Sequence, residues 1–195
     1  VTVWENPIPK IYLNDFSQCQ NVQNFIFVDS SFINVGPLNS VWDVEKVGIF
    51  TDKIINPVFN EIGLFRINLK SYSLNNCESS IDTFIHIHSK PQAKIFSSDT
   101  QFCLNNQKID LIDISSNLSG EIHKRYWEDE SNLITDSAKS FTSIFTESGI
   151  HKIKLKVISD SNCIDSTYQY FRIFPLPKAD YTVNDSAQCL SSNDY

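Results

Sequence analysis

The sequence repeats itself with a period of about 85 residues, and this repeat constrains the fold more than any other feature. Self-similarity at a fixed period is the signature of a repeat architecture. Cys19 recurs as Cys103 and again as Cys189, and each of the three closely follows a glutamine. Four further matches keep the same register: Trp42 and Trp127, Gly63 and Gly149, Cys77 and Cys163, and Pro91 and Pro177.

The repeat predicts the domain organisation of the 195-residue chain. We expect a first unit at 9–90 and a second unit at 91–176. Residues 1–8 would then end a preceding copy, and residues 177–195 would begin a third. The chain contains no Met and its first residues do not resemble a signal peptide, so we expect an internal segment of a longer protein. In that case the partner of Cys189 would lie beyond Tyr195.

Each unit shows the alternation of apolar and polar residues that is typical of a β-strand with one buried face. We expect the apolar members to face a core and the alternating lysines to face water. The predicted core residues are Phe65, Ile67, Leu69, Ile85 and Ile87 in the first unit, and Ile153, Leu155, Val157, Phe171 and Ile173 in the second. Many short strands in a unit of this length predict an all-β fold of tandem immunoglobulin-like β-sandwich domains.

Each full unit contains two cysteines, one before its first core strand and one after the strand that begins with glycine. We predict the disulfides Cys19–Cys77 and Cys103–Cys163. On the chain-entropy model, each would stabilise its unit by about 4 kcal/mol. Disulfides persist in oxidising compartments, so an extracellular or cell-surface location is expected. The alternative, structural zinc, is disfavoured because no Cys-x-x-Cys pair occurs.

Composition and motifs argue against several functions. The net charge is −7 and the three arginines are scattered, which disfavours nucleic-acid binding. No apolar run is long enough to span a bilayer. We find no nucleophile elbow, zinc-protease motif or phosphate-binding loop, so we expect no enzyme activity and no cofactor. A secreted enzyme with an active site assembled from carboxylates remains a disfavoured alternative.

Two side-chain groups could hold a metal ion. Glu128, Asp129 and Glu130 offer oxygen ligands for calcium, although a solvated turn after Trp127 is favoured. His86 and His88 lie on one face of a predicted strand, where a solvent-facing or junction pair is favoured over a metal site. We expect Trp42 and Trp127 to lie in the two cores rather than to stack on a sugar.

The order of these residues resembles the polycystic kidney disease (PKD) domain. The first unit has Phe-x-Phe-x-Asp-x-Ser at 25–31, Trp-Asp at 42–43, Gly-x-Phe-x-Ile-x-Leu at 63–69 and Asn-Cys at 76–77. The resemblance is to the Cys-containing form in large secreted surface proteins of Bacteroidota, such as gliding-motility adhesins and cargo of the type IX secretion system. The family's Trp-Asp-Phe-Gly-Asp-Gly sequence is replaced by Trp-Asp-Val-Glu-Lys at 42–46. The glycines of its turn are therefore missing, and the calcium site of that motif is not expected to carry over.

The resemblance implies a non-catalytic structural or adhesive segment of a secreted bacterial cell-surface protein, acting as a semi-rigid spacer or adhesin stalk. Prolines at the junctions would limit bending between units. The expected partners are neighbouring repeats of the same chain, and then a surface polysaccharide or a secretion or motility protein. The alternative is an accessory module of a secreted hydrolase that binds polysaccharide or protein. That alternative predicts an exposed aromatic row, for which Tyr168, Tyr170 and Phe174 are the candidates.

Overall fold

The computed structural model describes residues 2–105, 108–129, 132–134 and 138–183. Every regular element in these ranges is a β-strand, which confirms the predicted all-β fold. The strands of the first unit are β1 (Ile11–Leu13), β2 (Ser17–Cys19), β3 (Phe27–Asp29), β4 (Leu38–Val44), β5 (Gly48–Phe50), β6 (Ile54–Ile55), β7 (Gly63–Ser73) and β8 (Glu78–His88). Those of the second are β9 (Ile95–Ser97), β10 (Gln101–Cys103), β11 (Lys108–Asp113), β12 (Ile122–Asp129), β13 (Asn132–Ile134), β14 (Ser140–Ile144), β15 (Gly149–Ser159) and β16 (Ile164–Phe174).

The two units have the same sheet plan. In the first, β1, β3 and β6 form a three-stranded sheet, and the order β2-β8-β7-β4-β5 forms a five-stranded sheet. In the second, β14-β11-β9 and β10-β16-β15-β12-β13 are the corresponding sheets. The short strands β2 and β10 run parallel to β8 and β16, whereas the other pairs are antiparallel. Each unit is therefore an immunoglobulin-like β-sandwich, as the repeat predicted.

The period-two pattern sets which face of each long strand is buried. Ile67 and Leu69 of β7 have no exposed surface, and neither have Ile153, Leu155 and Val157 of β15. The lysines between those three residues are partly exposed. The predicted core residues on β8 and β16 are also buried. Because successive side chains of a strand point to opposite faces, these strands fit a sandwich with one wet side.

Each unit has its own hydrophobic core, and the two buried clusters share no residue. Trp42 and Trp127 lie fully buried in the two cores, as expected from the repeat. The indole N–H of Trp42 donates to the Asp52 carbonyl at 3.0 Å, and that of Trp127 donates to the Ala138 carbonyl at 3.3 Å. The polar end of each ring is thus satisfied, and its apolar body fills the core.

The fold shows that the predicted disulfides Cys19–Cys77 and Cys103–Cys163 are wrong. Cys19 lies beside His88 at the end of β8, whereas Cys77 lies just before the beginning of that strand. A strand of this length separates the two by roughly 35 Å, while a disulfide needs Cα atoms within about 7 Å. The second unit repeats this arrangement along β16, where Cys103 lies opposite Phe174. Neither unit can therefore close a bond between its own two cysteines.

The separate cores predict that core damage stays within one unit. We expect Leu69→Ala to lower the free energy of unfolding of the first unit by about 2–5 kcal/mol, and Leu155→Ala to do the same in the second. Hydrogen exchange of backbone amides, followed separately for 9–90 and 91–176, measures both effects. Leu64→Ala and Ile150→Ala are the matched controls because these side chains are 64% and 68% exposed. If either core substitution lowered amide protection equally in both units, the two cores would not be independent.

Candidate functional site

The two units are joined by a disulfide between Cys19 and Cys163, whose Cα atoms lie 5.6 Å apart. Cys19 ends β2, and the pairing of β2 with β8 places it at the exit of the first unit. Cys163 lies in the turn between β15 and β16 at the near end of the second unit. The bond links residues 144 positions apart in the sequence. It therefore adds a second covalent connection to the one that the chain makes through residues 89–94.

The turn that presents Cys163 is held by its own backbone. Asn162 adopts a left-handed conformation with φ of 61°, which a short polar side chain tolerates. The Cys163 N–H donates to Ser159 Oγ at 3.1 Å, and the Ser159 N–H donates to the Cys163 carbonyl at 2.9 Å. Ser159 and Cys163 are both buried. The sulfur is thus fixed in a tight turn.

Ser89, between the two units, forms a buried hydrogen-bonded cluster with the second unit. Its hydroxyl donates to Asn117 Oδ1 at 2.5 Å and accepts from the Ser119 N–H at 2.9 Å. The Ser89 N–H in turn donates to Ser119 Oγ at 3.1 Å. Ser89 is only 1% exposed, so these bonds satisfy a polar group that has lost its water. The linker is thereby fixed to the second unit immediately after β8.

Asp165 fixes the next part of the linker. Its carboxylate lies 2.8 Å from Lys90 Nζ and accepts the Ala93 N–H at 2.8 Å. Burial alone raises the pKa of Asp165, but the Ala93 N–H and the Lys90 ammonium outweigh burial and hold the pKa below its ordinary value of 3.8. The ionised form of Asp165 therefore stabilises the path by which the chain enters the second unit.

Gly120 permits a close approach of the backbone to Asp160 beside this junction. It adopts φ of +106°, and a Cβ atom there would lie 2.5 Å from Asp160 Oδ2. The Asp160 carboxylate accepts the Glu121 N–H at 3.3 Å. This hydrogen bond is the main reason that the pKa of Asp160 is lowered. The positive φ favours glycine at this position, and a Cβ atom there would displace the Asp160 carboxylate.

His86 and His88 lie at the same junction, with their ring centres 4.2 Å apart. Burial and then the neighbouring His86 lower the pKa of His88, while Asp160 of the second unit opposes this shift. Within the part of the chain that the structure describes, no group of three or more metal-ligating side chains is found. His88 therefore lies beside the second unit, at one of the two positions, solvent-facing or junction, that were expected for this pair.

The candidate aromatic row is exposed on the outer face of the second unit. Tyr168, Tyr170 and Phe174 of β16 are 46%, 56% and 39% exposed. Lys152 Nζ lies 3.8 Å from the centre of the Tyr168 ring, within the range of a cation–π interaction. Lys154 is nearby, 5.8 Å from the same ring. This surface, which we call the aromatic face, combines exposed rings with lysines and has a shallow cavity of about 200 Å³ at one end.

The acidic residues considered for calcium have protein partners. Glu128 Oε2 lies 3.1 Å from Lys154 Nζ, and Asp129 Oδ2 accepts the Ser143 hydroxyl at 3.0 Å. Glu130 lies outside the described residues. The two described carboxylates therefore take part in an ion pair and a hydrogen bond within the second unit.

Sequence reasoning identified Cys19 and Cys163 but assigned them to the wrong partners. The repeat places one cysteine of each type in every unit, and that register fits bonds within units and bonds between neighbouring units equally well. Nothing in the sequence assigned Ser89, Asn117 or Asp165 to a junction, because isolated polar residues are common in loops. Their role depends on the proximity of the two units.

Among the described residues, no helix is long and apolar enough to cross a membrane. No protein-family model matches the chain, and no curated protein matches it.

Solved structures with similar folds contain PKD, fibronectin type III and immunoglobulin domains. The PKD1 domain of the Vibrio cholerae metalloprotease PrtV is 19% identical, with a TM-score of 0.37 over 44% of this chain and 98% of that chain. The fibronectin(III)-like modules of Clostridium thermocellum CbhA are 8% identical, with a TM-score of 0.44 over 89% of this chain and 100% of that chain. Bacteroides ovatus SGBP-B, solved with a mixed-linkage heptasaccharide, is 13% identical, with a TM-score of 0.37 over 87% of this chain and 47% of that chain.

The depressed pKa of Asp165 predicts a pH-dependent contribution to stability. A group with a folded pKa below its unfolded pKa stabilises the fold above the unfolded pKa, and this contribution disappears as the pH falls through the folded pKa. We expect Asp165→Asn to lower the free energy of unfolding by about 1 kcal/mol at pH 7, because a charge-assisted contact becomes neutral. The difference between variant and wild type should shrink below about pH 4.

Urea unfolding of both proteins between pH 2.5 and pH 7 measures this difference. Asp180→Asn is a suitable control, because Asp180 is an exposed carboxylate. A cost of Asp165→Asn that stays constant across the pH range would show that its charge is not responsible.

Proposed function

We propose that this chain is a non-catalytic structural segment of an extracellular surface protein, in which β-sandwich units are connected in series as a semi-rigid spacer or adhesin stalk. The observation that carries the proposal is the Cys19–Cys163 disulfide between the two units. A bond within one unit would support stability alone. A bond between units constrains how one module is oriented on the next, which is the property that a spacer requires.

The contacts of the linker support the same function. Residues 89–94 are the whole connection between β8 and β9. Ser89 is hydrogen-bonded to the second unit, Lys90 pairs with Asp165, and Pro91 is buried. Proline fixes its own φ and restricts the residue before it. With the disulfide as a second point of attachment, bending and twisting at the junction are both restricted.

The expected location follows from the chemistry of this bond. Disulfides form and persist in oxidising environments, which favours the cell exterior. The net charge of −7 favours solubility of an exposed stalk. The links to Bacteroidota, gliding motility and type IX secretion stay predictions from the resemblance to PKD domains.

The proposal predicts that the disulfide protects both units from being pulled apart. When the chain is stretched from its ends, tension passes from Cys19 to Cys163 through the sulfurs, and the residues between them carry none. We expect the oxidised chain to extend far less than Cys19→Ser, which should release roughly 50 nm of additional contour length. Single-molecule force spectroscopy measures this difference.

The matched control is Cys103→Ser, which removes a cysteine and leaves the bond in place. Its extension should equal that of the wild type, and reduction of the wild type should reproduce Cys19→Ser. If the oxidised wild type released the same contour length as Cys19→Ser, a load-bearing junction would be excluded.

The second candidate function is binding of an acidic polysaccharide by the aromatic face. The observation that favours it is the row of exposed rings on β16 beside Lys152 and Lys154. Alternate residues of a strand lie about 7 Å apart on one face, so Tyr168 and Tyr170 offer two neighbouring contact points. Tyrosine presents an apolar ring with a polar end, and the lysines supply charge for carboxylate groups. Lys152 already lies over Tyr168, which leaves Tyr170 as the more accessible ring.

Affinity electrophoresis in gels that contain alginate tests this second function. We expect the wild type to be retarded, Tyr170→Ala to lose most of the retardation, and added salt to weaken binding. Phe96→Ala is the matched control, because Phe96 is a 50% exposed aromatic on the other sheet of the same unit. Equal mobility of all three proteins with and without alginate would exclude alginate binding by this face.

A further inference from the structure

We propose that Cys77 and Cys103 each form a further disulfide with a cysteine of an adjoining unit of the same repeat. The proposal rests on the proposed function, because it needs units arranged in series. Cys77 would bond to the unit that precedes the first, and Cys103 to the unit that follows the second. The inter-unit bond would then recur at every junction.

The turn that carries Cys77 is built like the turn that carries Cys163. Asn76 has φ of 57°, close to the 61° of Asn162. The Cys77 N–H donates to Ser73 Oγ at 3.2 Å, and the Ser73 N–H donates to the Cys77 carbonyl at 2.9 Å. These are the same contacts that Ser159 makes with Cys163. Cys77 is therefore held as Cys163 is, but its thiol is free and partly exposed.

The strand that carries Cys103 matches the strand that carries Cys19. Cys103 lies opposite Phe174 in a parallel pair, as Cys19 lies opposite His88. The residue after each cysteine donates its N–H to the carbonyl of that partner, at 2.8 Å for Leu104 and 2.9 Å for Gln20. Cys103 is free and exposed at the exit of the second unit. It occupies the position from which Cys19 reaches its partner.

The direction of the bond follows from the junction that the structure contains. There, the first cysteine of one unit bonds to the second cysteine of the next unit. Cys77 is the second cysteine of its unit and Cys103 is the first of its unit. Applying the same rule gives Cys77 a partner in the preceding unit and Cys103 a partner in the following unit.

The surface around Cys77 has the form of a docking site for such a unit. Trp4, Val35 and Leu74 are 56%, 80% and 68% exposed there, around a cavity of about 370 Å³. The corresponding end of the second unit, near Asp160, receives the first unit. The incoming chain also follows the same path in both units, because the bridge between Ile8 and Phe32 matches the one between Gln92 and Ser116. The geometry points to the end of a preceding unit as the occupant.

Each bond forms by thiol–disulfide exchange with a disulfide oxidant outside the cytoplasm. A cysteine thiolate attacks the oxidant and gives a mixed disulfide, and one thiol leaves. The second cysteine then attacks the mixed disulfide, the protein S–S bond forms, and the second thiol leaves. Two protein thiols are oxidised and one oxidant disulfide is reduced to two thiols.

A chain with one duplicated unit tests the proposal directly. A second copy of 91–176 is inserted between residues 176 and 177, which reproduces the register of the natural repeat. The inserted copy carries Tyr170→Phe and Phe96→Tyr, two substitutions at exposed positions that mark its cysteine peptides by mass. The purified chain is oxidised with glutathione disulfide, and its disulfides are mapped without reduction.

We expect one additional disulfide, which joins the original Cys103 to the marked Cys163 of the inserted copy. The Cys19–Cys163 bond of the original units should be unchanged. Cys103→Ser in the original copy is the matched control, and it should leave the marked Cys163 as a free thiol without affecting the first bond.

The other outcomes are distinguishable. If Cys103 stays a free thiol while Cys19–Cys163 forms, the inference is overturned and the proposed function stands. If Cys19–Cys163 does not form in either chain, the proposed function fails as well. A bond between Cys103 and Cys163 of the same copy would overturn both.

Discussion

The length of the hairpin formed by β7 and β8, and of its copy formed by β15 and β16, decides how the cysteines can be used. Each of these strands has eleven residues, so a turn at one end and a paired edge strand at the other are far apart. Cys77 and Cys163 lie at the turns, and Cys19 and Cys103 lie at the opposite ends. When two such units follow each other, the far end of one meets the turn of the next. The same strand length that prevents a bond within a unit therefore places two sulfurs together at the junction.

The fold could be predicted from the sequence because its signals are local or periodic. Alternation in Phe65–Leu69 and Ile153–Val157 identifies buried strand faces without any knowledge of distant contacts. The matched tryptophans identify two equivalent cores for the same reason. The cysteine pairing could not be predicted in this way. It depends on which ends of two units meet. Because equivalent cysteines recur about every 85 positions, the first cysteine of a unit has one candidate partner in its own unit and an equivalent one in the next unit. The repeat does not distinguish between them.

The candidate site likewise contains residues whose position follows from a local pattern and residues whose role does not. The sequence predicts that Tyr168 and Tyr170 are exposed, because they lie on the face of β16 opposite to the buried Phe171 and Ile173. The role of Ser89 does not follow from any pattern in one strand. Its buried hydroxyl is hydrogen-bonded to Asn117 and Ser119 of the next unit. Residues of this kind become recognisable only when both sides of a junction are known.

The position of the disulfide also separates two roles that such bonds can have. A bond within a unit would limit the unfolded chain of that unit and leave the junction free. The Cys19–Cys163 bond encloses most of the first unit and most of the second in one covalent loop. The two cores share no buried residue, and neither of them includes Cys19 or Cys163. The bond instead carries tension between the units and constrains their relative orientation. If every junction carries such a bond, the loops overlap along the chain, and no unit can be extended without breaking a covalent link.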